Sequence, residues 1–224
     1  MYKLVKFSLA REALGYIVSY YNIKKMHIPY YLCDVVRHKL VELNCKPVFY
    51  HINDNFYPEC EFEKSDFILY PNYWGICSKN ISKLVDKYPK LIVDNAHAYF
   101  DKPTGLASFN AGHKFGFENS YAFIGSNDID EYQLNYDTKI IQKRKSEFLR
   151  LHEKYNNINL LNIDLNSIPF CYPCLVDTIK SADKLVAELK QEGKIVYRYW
   201  NLIPESFNEY KFYSRLVPIP IELN

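Results

Sequence analysis

No apolar run in this sequence approaches the roughly 20 residues that a bilayer-spanning helix requires, so no membrane span is expected. The amino-terminal stretch MYKLVKFSLAREAL lacks a long apolar region and a small-residue cleavage site. It therefore does not read as a secretory signal peptide, and a cytoplasmic protein is expected. Nor does one sign of charge dominate. The 28 basic and 26 acidic residues leave a net charge of +2, and the densest basic cluster, Lys143-Arg144-Lys145, lies in a helix-like stretch. That is not the footprint of a nucleic-acid binder, so nucleic acid is not expected as a partner. Six cysteines without a signal peptide read as free thiols. Cys171-Tyr172-Pro173-Cys174 has the CxxC form, but no second cysteine pair or histidine cluster completes a zinc site, and no metal is expected.

What is present is a globular composition. Hydrophobic residues make up 48% and charged residues 24% of the 224 positions, enough for a packed core in one large domain, or one medium domain with a small appendage. Glycine is scarce at seven residues, whereas tyrosine and phenylalanine number 21 and 14. Tyrosine suits clefts and subunit interfaces, although an AT-rich coding sequence would leave the same surplus. The chain shows no internal repeat and no low-complexity segment.

Along the first hundred residues helical and strand periods alternate. Residues 10–21 place Ala13, Leu14, Ile17, Val18 and Tyr21 at spacings of three and four, as an amphipathic helix does. A short strand ending at Pro29 follows, then a helix over 32–43 and a strand over 46–52. The pattern continues with a strand at 66–70, a helix at 78–88 and a strand at 89–94, with strand-like runs at 106–110 and 121–125. This alternation predicts an α/β fold with a mostly parallel sheet and flanking helices, its working residues at the carboxyl ends of strands. After a polar, linker-like stretch at 126–137 the pattern changes. A long charged helix over 138–156, a strand at 168–176, a helix at 182–193 and a strand at 194–200 predict a small C-terminal α+β lobe. The expected division is a cofactor-binding domain over 1–137 and this lobe, with its long linking helix, over 138–224.

Two segments carry chemistry. Val93-Asp94-Asn95-Ala96-His97-Ala98 ends one strand with a carboxylate. Ser108-Phe109-Asn110-Ala111-Gly112-His113-Lys114-Phe115-Gly116 brings an amine after the next. Taken singly, an aspartate at a strand end is more often a cap or turn residue, and a lysine beside glycine more often a solvated loop residue. Together, in this order, they form the pair that pyridoxal 5'-phosphate requires. The lysine forms the Schiff base, and the aspartate keeps the pyridine nitrogen protonated so that the ring can accept electrons. Ala96 would let the ring lie flat, and His97 could hydrogen-bond its phenolic oxygen.

Over most of its length the sequence resembles the DegT/DnrJ group of nucleotide-sugar aminotransferases, which have the fold-type I architecture. Leu9-Ala10-Arg11-Glu12-Ala13-Leu14 stands where the family has Ser-Gly-Arg-Asn-Ala-Leu, the turn that takes the cofactor phosphate. Ile28-Pro29-Tyr30-Tyr31-Leu32-Cys33 resembles the strand end that covers one ring face. Tyr70-Pro71-Asn72-Tyr73-Trp74-Gly75 resembles a following loop, and Ile168-Pro169-Phe170-Cys171-Tyr172-Pro173 and Leu216-Val217-Pro218-Ile219-Pro220 match the C-terminal part in order. The resemblance implies Lys114 and His113 as catalytic residues. It implies Asp94, Ala96, His97, Ala10, Arg11, Cys33 and Lys114 around the cofactor. Tyr73, Trp74 and Trp200 are the candidates for stacking on substrate. It further implies a keto-sugar or sugar-nucleotide substrate of polysaccharide biosynthesis, an amino donor and a homodimer.

The chain also departs from the family. Ala10 puts a Cβ where glycine would let the backbone approach an anion, Leu9 lacks a hydroxyl, and Ala111 replaces a serine. The chain is shorter than the family's, with a helical stretch missing after Ile124, no N-terminal arm, and an end just after the Pro-Ile-Pro strand. Counting from Ser108 with the spacing of the wider family reaches His113, whereas alignment to the branch with an Arg-Lys-Phe-Phe-Gly motif places Lys114 at the lysine position, the reading preferred. Three functions follow: an aminotransferase using Lys114, a degenerate relative that binds or oligomerises without turnover, and a sugar dehydratase using His113.

Overall fold

The computed structural model describes residues 2–125 and 137–223; most of the linker expected at 126–137 lies outside the described residues. Seven strands form the main sheet: β1 (Tyr2–Phe7), β2 (Lys25–Pro29), β3 (Lys46–Tyr50), β4 (Ile68–Pro71), β5 (Leu91–Asn95), β6 (Ala107–Asn110) and β7 (Ser120–Gly125), in the spatial order β1-β7-β6-β5-β4-β2-β3. The pairings from β3 through β2, β4 and β5 to β6 are parallel, while β7 runs antiparallel to both β6 and β1. The sheet is the mostly parallel α/β sheet that the alternation predicts.

Side-chain alternation assigns its two faces. Leu69 and Ile92 point to a cluster formed with Ala13, Leu14, Ile17 and Val18 of α1 (Ala10–Tyr20) and Val36 and Leu40 of α2 (Asp34–Glu42). Ile68, Tyr70, Leu91 and Val93 point the other way, to Ile81 and Leu84 of α3 (Ser78–Lys87) and to the C-terminal residues. With both faces covered, every residue of β4 and β5 is buried. Asp94, two residues after Ile92, therefore lies on the α1 side.

Strand β1 was not evident in the sequence. It is an edge strand with Lys3, Leu4 and Lys6 exposed, so little apolar period marks it. Because it is antiparallel to β7, which is antiparallel to β6, it runs in the same sense as β6. Its end at Phe7 thus delivers the start of α1 to the edge where β4, β5 and β6 end.

The C-terminal part contains α4 (Thr138–Tyr155), β8 (Cys171–Leu175), α5 (Ile179–Gln191), α6 (Tyr210–Ser214) and β9 (Leu216–Pro220). Asp137 caps α4 through the Lys139 N–H at 2.8 Å, and Thr178 caps α5 through the Ser181 N–H at 3.0 Å, which sets that helix start earlier than residue 182. The strand expected at 194–200 is absent. β8 pairs instead with β9, antiparallel, from Cys171↔Pro220 to Leu175↔Leu216. Residues 194–200 belong to no ladder, and Trp200 turns the chain at φ 61°.

Replacing Ile17, fully buried against the sheet, with alanine should cost roughly 2–5 kcal/mol in chemical denaturation. Ile195→Ala, at a residue 69% exposed in the unpaired segment, should stay within about 0.5 kcal/mol of the parent.

Candidate active site

The carboxyl ends of β4, β5 and β6 and the start of α1 surround a cavity of about 220 Å³. Most of the residues singled out in the sequence meet there. Ala10 and Arg11 come from the first turn of α1, Cys33 from the position before α2, Asp94 from β5, Ala96 and His97 from the turn after it, His113 and Lys114 from the turn after β6, and Trp200 from the C-terminal part. Tyr73 and Trp74 lie outside this lining. Tyr73 is fully buried, donating its hydroxyl to the Tyr31 carbonyl at 2.9 Å, and Trp74 is fully buried beneath His97.

Asp94 is only 8% exposed. Its Oδ1 accepts the Ala96 N–H at 2.8 Å, and its carbonyl accepts the Asn72 N–H at 2.9 Å. Burial raises its pKa to about 6, a rise restrained by the Ala96 N–H and by the positive charge of Lys114. Burial also lowers the pKa of Lys114 below that of a solvated lysine, against the pull of Asp94, Cys33 and Cys171. Both groups are thus displaced toward neutrality by the same exclusion of water.

His97 is buried among stacked rings: Trp74 at 5.1 Å and 21°, Phe170 at 5.1 Å and 16°, and Trp200 at 5.6 Å and 5°. Burial and the Lys114 charge push its pKa well below 6.5, so the ring is neutral at pH 7, and its Nε2 has no hydrogen-bond partner. His113, beside Lys114, is exposed, and partial burial and the Lys114 charge lower its pKa as well.

Two glycines set the backbone. A Cβ on Gly112 would stand 2.0 Å from the Asn119 carbonyl oxygen, so the turn carrying Lys114 closes as tightly as it does only with glycine there. Gly75 has φ +82°, and a Cβ on it would stand 2.4 Å from the His97 carbonyl oxygen.

Sequence reasoning missed Asn72, which lines the cavity. Its Oδ1 accepts the Cys77 N–H at 2.9 Å, and its Nδ2 donates to Asn95 Oδ1 at 3.2 Å and Asp101 Oδ2 at 2.9 Å. The Tyr70–Gly75 loop drew notice for its aromatics, whereas the amide between them makes the contacts. Before α1, Leu9 is extended (φ −131°, ψ 144°), and its N–H donates to Glu12 Oε2 at 3.2 Å.

Comparison with solved structures gives the architecture its place. PseC of Helicobacter pylori, an aminotransferase involved in the biosynthesis of pseudoaminic acid, is 15% identical, with 99% of this chain and 82% of that one covered at a TM-score of 0.73. Spr1654 of Streptococcus pneumoniae, described as a sugar aminotransferase and solved in its PMP form, is 15% identical over 98% and 81% of the two chains, at 0.76. A DegT DnrJ EryC1 StrS aminotransferase from Brucella abortus is 13% identical over 98% and 80%, at 0.71. The chain has the fold-type I aminotransferase fold. No protein-family model matches its sequence, and no curated protein does. Within this fold-type I chain no helix of the described residues is long and apolar enough to cross a membrane.

Asp94 gives the site a pH signature. Between about pH 4 and 6 the folded carboxyl holds a proton that the unfolded chain has released, so its contribution to stability falls as pH rises through that window. Asp94→Asn removes this titration. Denaturation midpoints at pH 4 and pH 7 should show the variant gaining on the parent by on the order of 3 kcal/mol across that interval, and a constant difference would contradict the shift.

Proposed function

We propose that this chain is a pyridoxal-phosphate-dependent aminotransferase that moves an amino group from an amino donor to a keto-sugar, carried on a nucleotide, with Lys114 as the reacting amine. The observation that carries this reading is the meeting of a buried carboxylate, a desolvated lysine and a neutral histidine with an unpartnered Nε2 in one cavity. These residues fit the cofactor. Asp94 would hold the pyridine nitrogen, His97 Nε2 the phenolic oxygen and Lys114 the aldehyde carbon, while Ala96 and Cys33 line the space for the ring. The start of α1 offers N–H groups without intrahelical acceptors, and Arg11 beside them offers a cation, for the phosphate.

When bound, the cofactor supplies an electron sink for the substrate carbanion. The chain's own residues do the rest. Asp94, with a pKa of about 6, is largely ionised at pH 7 and can keep a proton on its partner nitrogen. Lys114, its pKa lowered by burial, has a larger unprotonated fraction than a surface lysine and can attack a carbonyl or carry a proton at the substrate carbon. The rings of Trp74, Phe170 and Trp200 around His97 keep water from it.

The sugar substrate is supported by the names of two structural relatives, one described as a sugar aminotransferase and one an aminotransferase involved in the biosynthesis of pseudoaminic acid. A homodimer, a cytoplasmic location and a division into a cofactor-binding domain over 1–137 and a lobe over 138–224 belong to the same reading. His113 also reaches the cavity, which keeps open a dehydration in which it replaces lysine.

Absorbance spectra with and without added pyridoxal phosphate test the proposal. The parent and His113→Ala should show the visible band of lysine-bound cofactor, and Lys114→Ala should lose it. A chain that stays colourless after reconstitution overturns the aminotransferase reading, and cofactor retained without the lysine-bound band, in the parent as in Lys114→Ala, favours dehydration.

A further inference from the structure

We infer that Arg144 is a positioning residue through which α4 holds Phe170 against His97 and Lys114. The inference takes Lys114 as the reacting amine, as proposed above. Arg144 lies within α4 and is 4% exposed. A guanidinium buried to that extent ordinarily faces a carboxylate. Among the described residues Arg144 forms no ion pair within 4.0 Å, and its Nε has no hydrogen-bond partner. Its Nη2 donates instead to two carbonyls, those of Pro169 and Phe170, each at 2.9 Å, and its guanidinium lies 4.7 Å from the ring centroid of Phe115, the neighbour of Lys114. Burial lowers its pKa to about 10, which leaves it charged at neutral pH.

Phe170 is committed on every side. Its N–H is shared between the carbonyls of His97 (3.0 Å) and Trp74 (3.2 Å). Its carbonyl takes Arg144. Its ring stacks on His97, approaches Phe115 at 5.9 Å, and has the Lys114 Nζ 5.7 Å from its centroid. One residue therefore links α4 to the turn after β5 and to the lysine turn. Burying a charge without a counter-ion is costly, and the contacts that offset it here are the two carbonyls and the Phe115 face. An apolar side chain in its place would leave both carbonyls without that donor and release the Phe170 ring from the lysine.

The test reads the amine itself, on the full chain freed of cofactor. An amine-acylating reagent is applied across a pH series, and labelling of Lys114 is followed by peptide mass spectrometry. The groups facing Lys114 are Asp94 on β5, Cys33 before α2, Cys171 on β8, His97 after β5 and the neighbouring His113, and none of them is altered. In Arg144→Met, water gains access beside Phe170. The labelling midpoint should then rise toward that of a solvated lysine by about one pH unit, a roughly tenfold lower rate at fixed pH below it. Phe170→Leu, which keeps the Arg144 charge, should shift it in the same direction. Leu189→Ala, in the α5 helix that packs on β9, should lower thermal stability and leave the midpoint in place. An unshifted midpoint in Phe170→Leu overturns the inference even if Arg144→Met does not fold, and so does an unshifted midpoint in a folded Arg144→Met. Since no cofactor is present, a failure of the pyridoxal phosphate reading shows in the absorbance experiment and not in this one.

Discussion

Two backbone hydrogen bonds hold Asp94 in place at the end of β5, one from the Asn72 N–H to its carbonyl and one from the Ala96 N–H to its carboxylate. They fix a carboxyl group where water is largely excluded, and the chemistry of the cavity follows from that exclusion. The acid is pushed up and the facing amine down, so the affinities of the two groups for a proton come closer together than they would in water. Neither shift would survive in an open cleft. The sheet supplies the floor, because β4 and β5 are buried on both faces. His97 and Trp200 line the cavity, with Trp74 and Phe170 stacked on His97 outside the lining.

The parallel sheet and the centre of the site were legible in the sequence because both rest on local pattern. The run Leu91-Ile92-Val93-Asp94 reads as a strand with an acid at its working end, and Gly112-His113-Lys114 reads as an amine that follows the next strand between glycines. Asn72, Arg144 and Phe170 were not legible as site residues. Arg144 is bonded to carbonyls 25 and 26 residues away, and in the sequence it is only the middle of a basic triplet in a helix-like stretch. The misplaced strand at 194–200 has the same origin, since alternation describes one chain whereas a strand requires a neighbour. Pro218 and Pro220 make β9 a poor candidate by composition, yet as an outer strand of a two-stranded sheet it can spare their missing N–H groups.

The weakest part of the inherited pattern is the phosphate turn. Leu9 and Ala10 remove a hydroxyl and add a Cβ, and the Glu12 carboxylate already accepts the Leu9 N–H. What remains for an anion is the rest of the helix start and Arg11. In the proposed reading, Asp94 and Lys114 would therefore hold the cofactor more firmly than the phosphate end does.

The hydrogen bond that Phe170 shares between His97 and Trp74 has a mechanical side. One donor serving two acceptors ties both carbonyls to the same N–H, so the turn after β5 and the Tyr73–Gly75 turn are held to Phe170 together. The Trp74 and His97 rings, stacked at 5.1 Å, are thereby fixed to a single backbone donor. A change at Phe170 would therefore reach both sides of this stack at once.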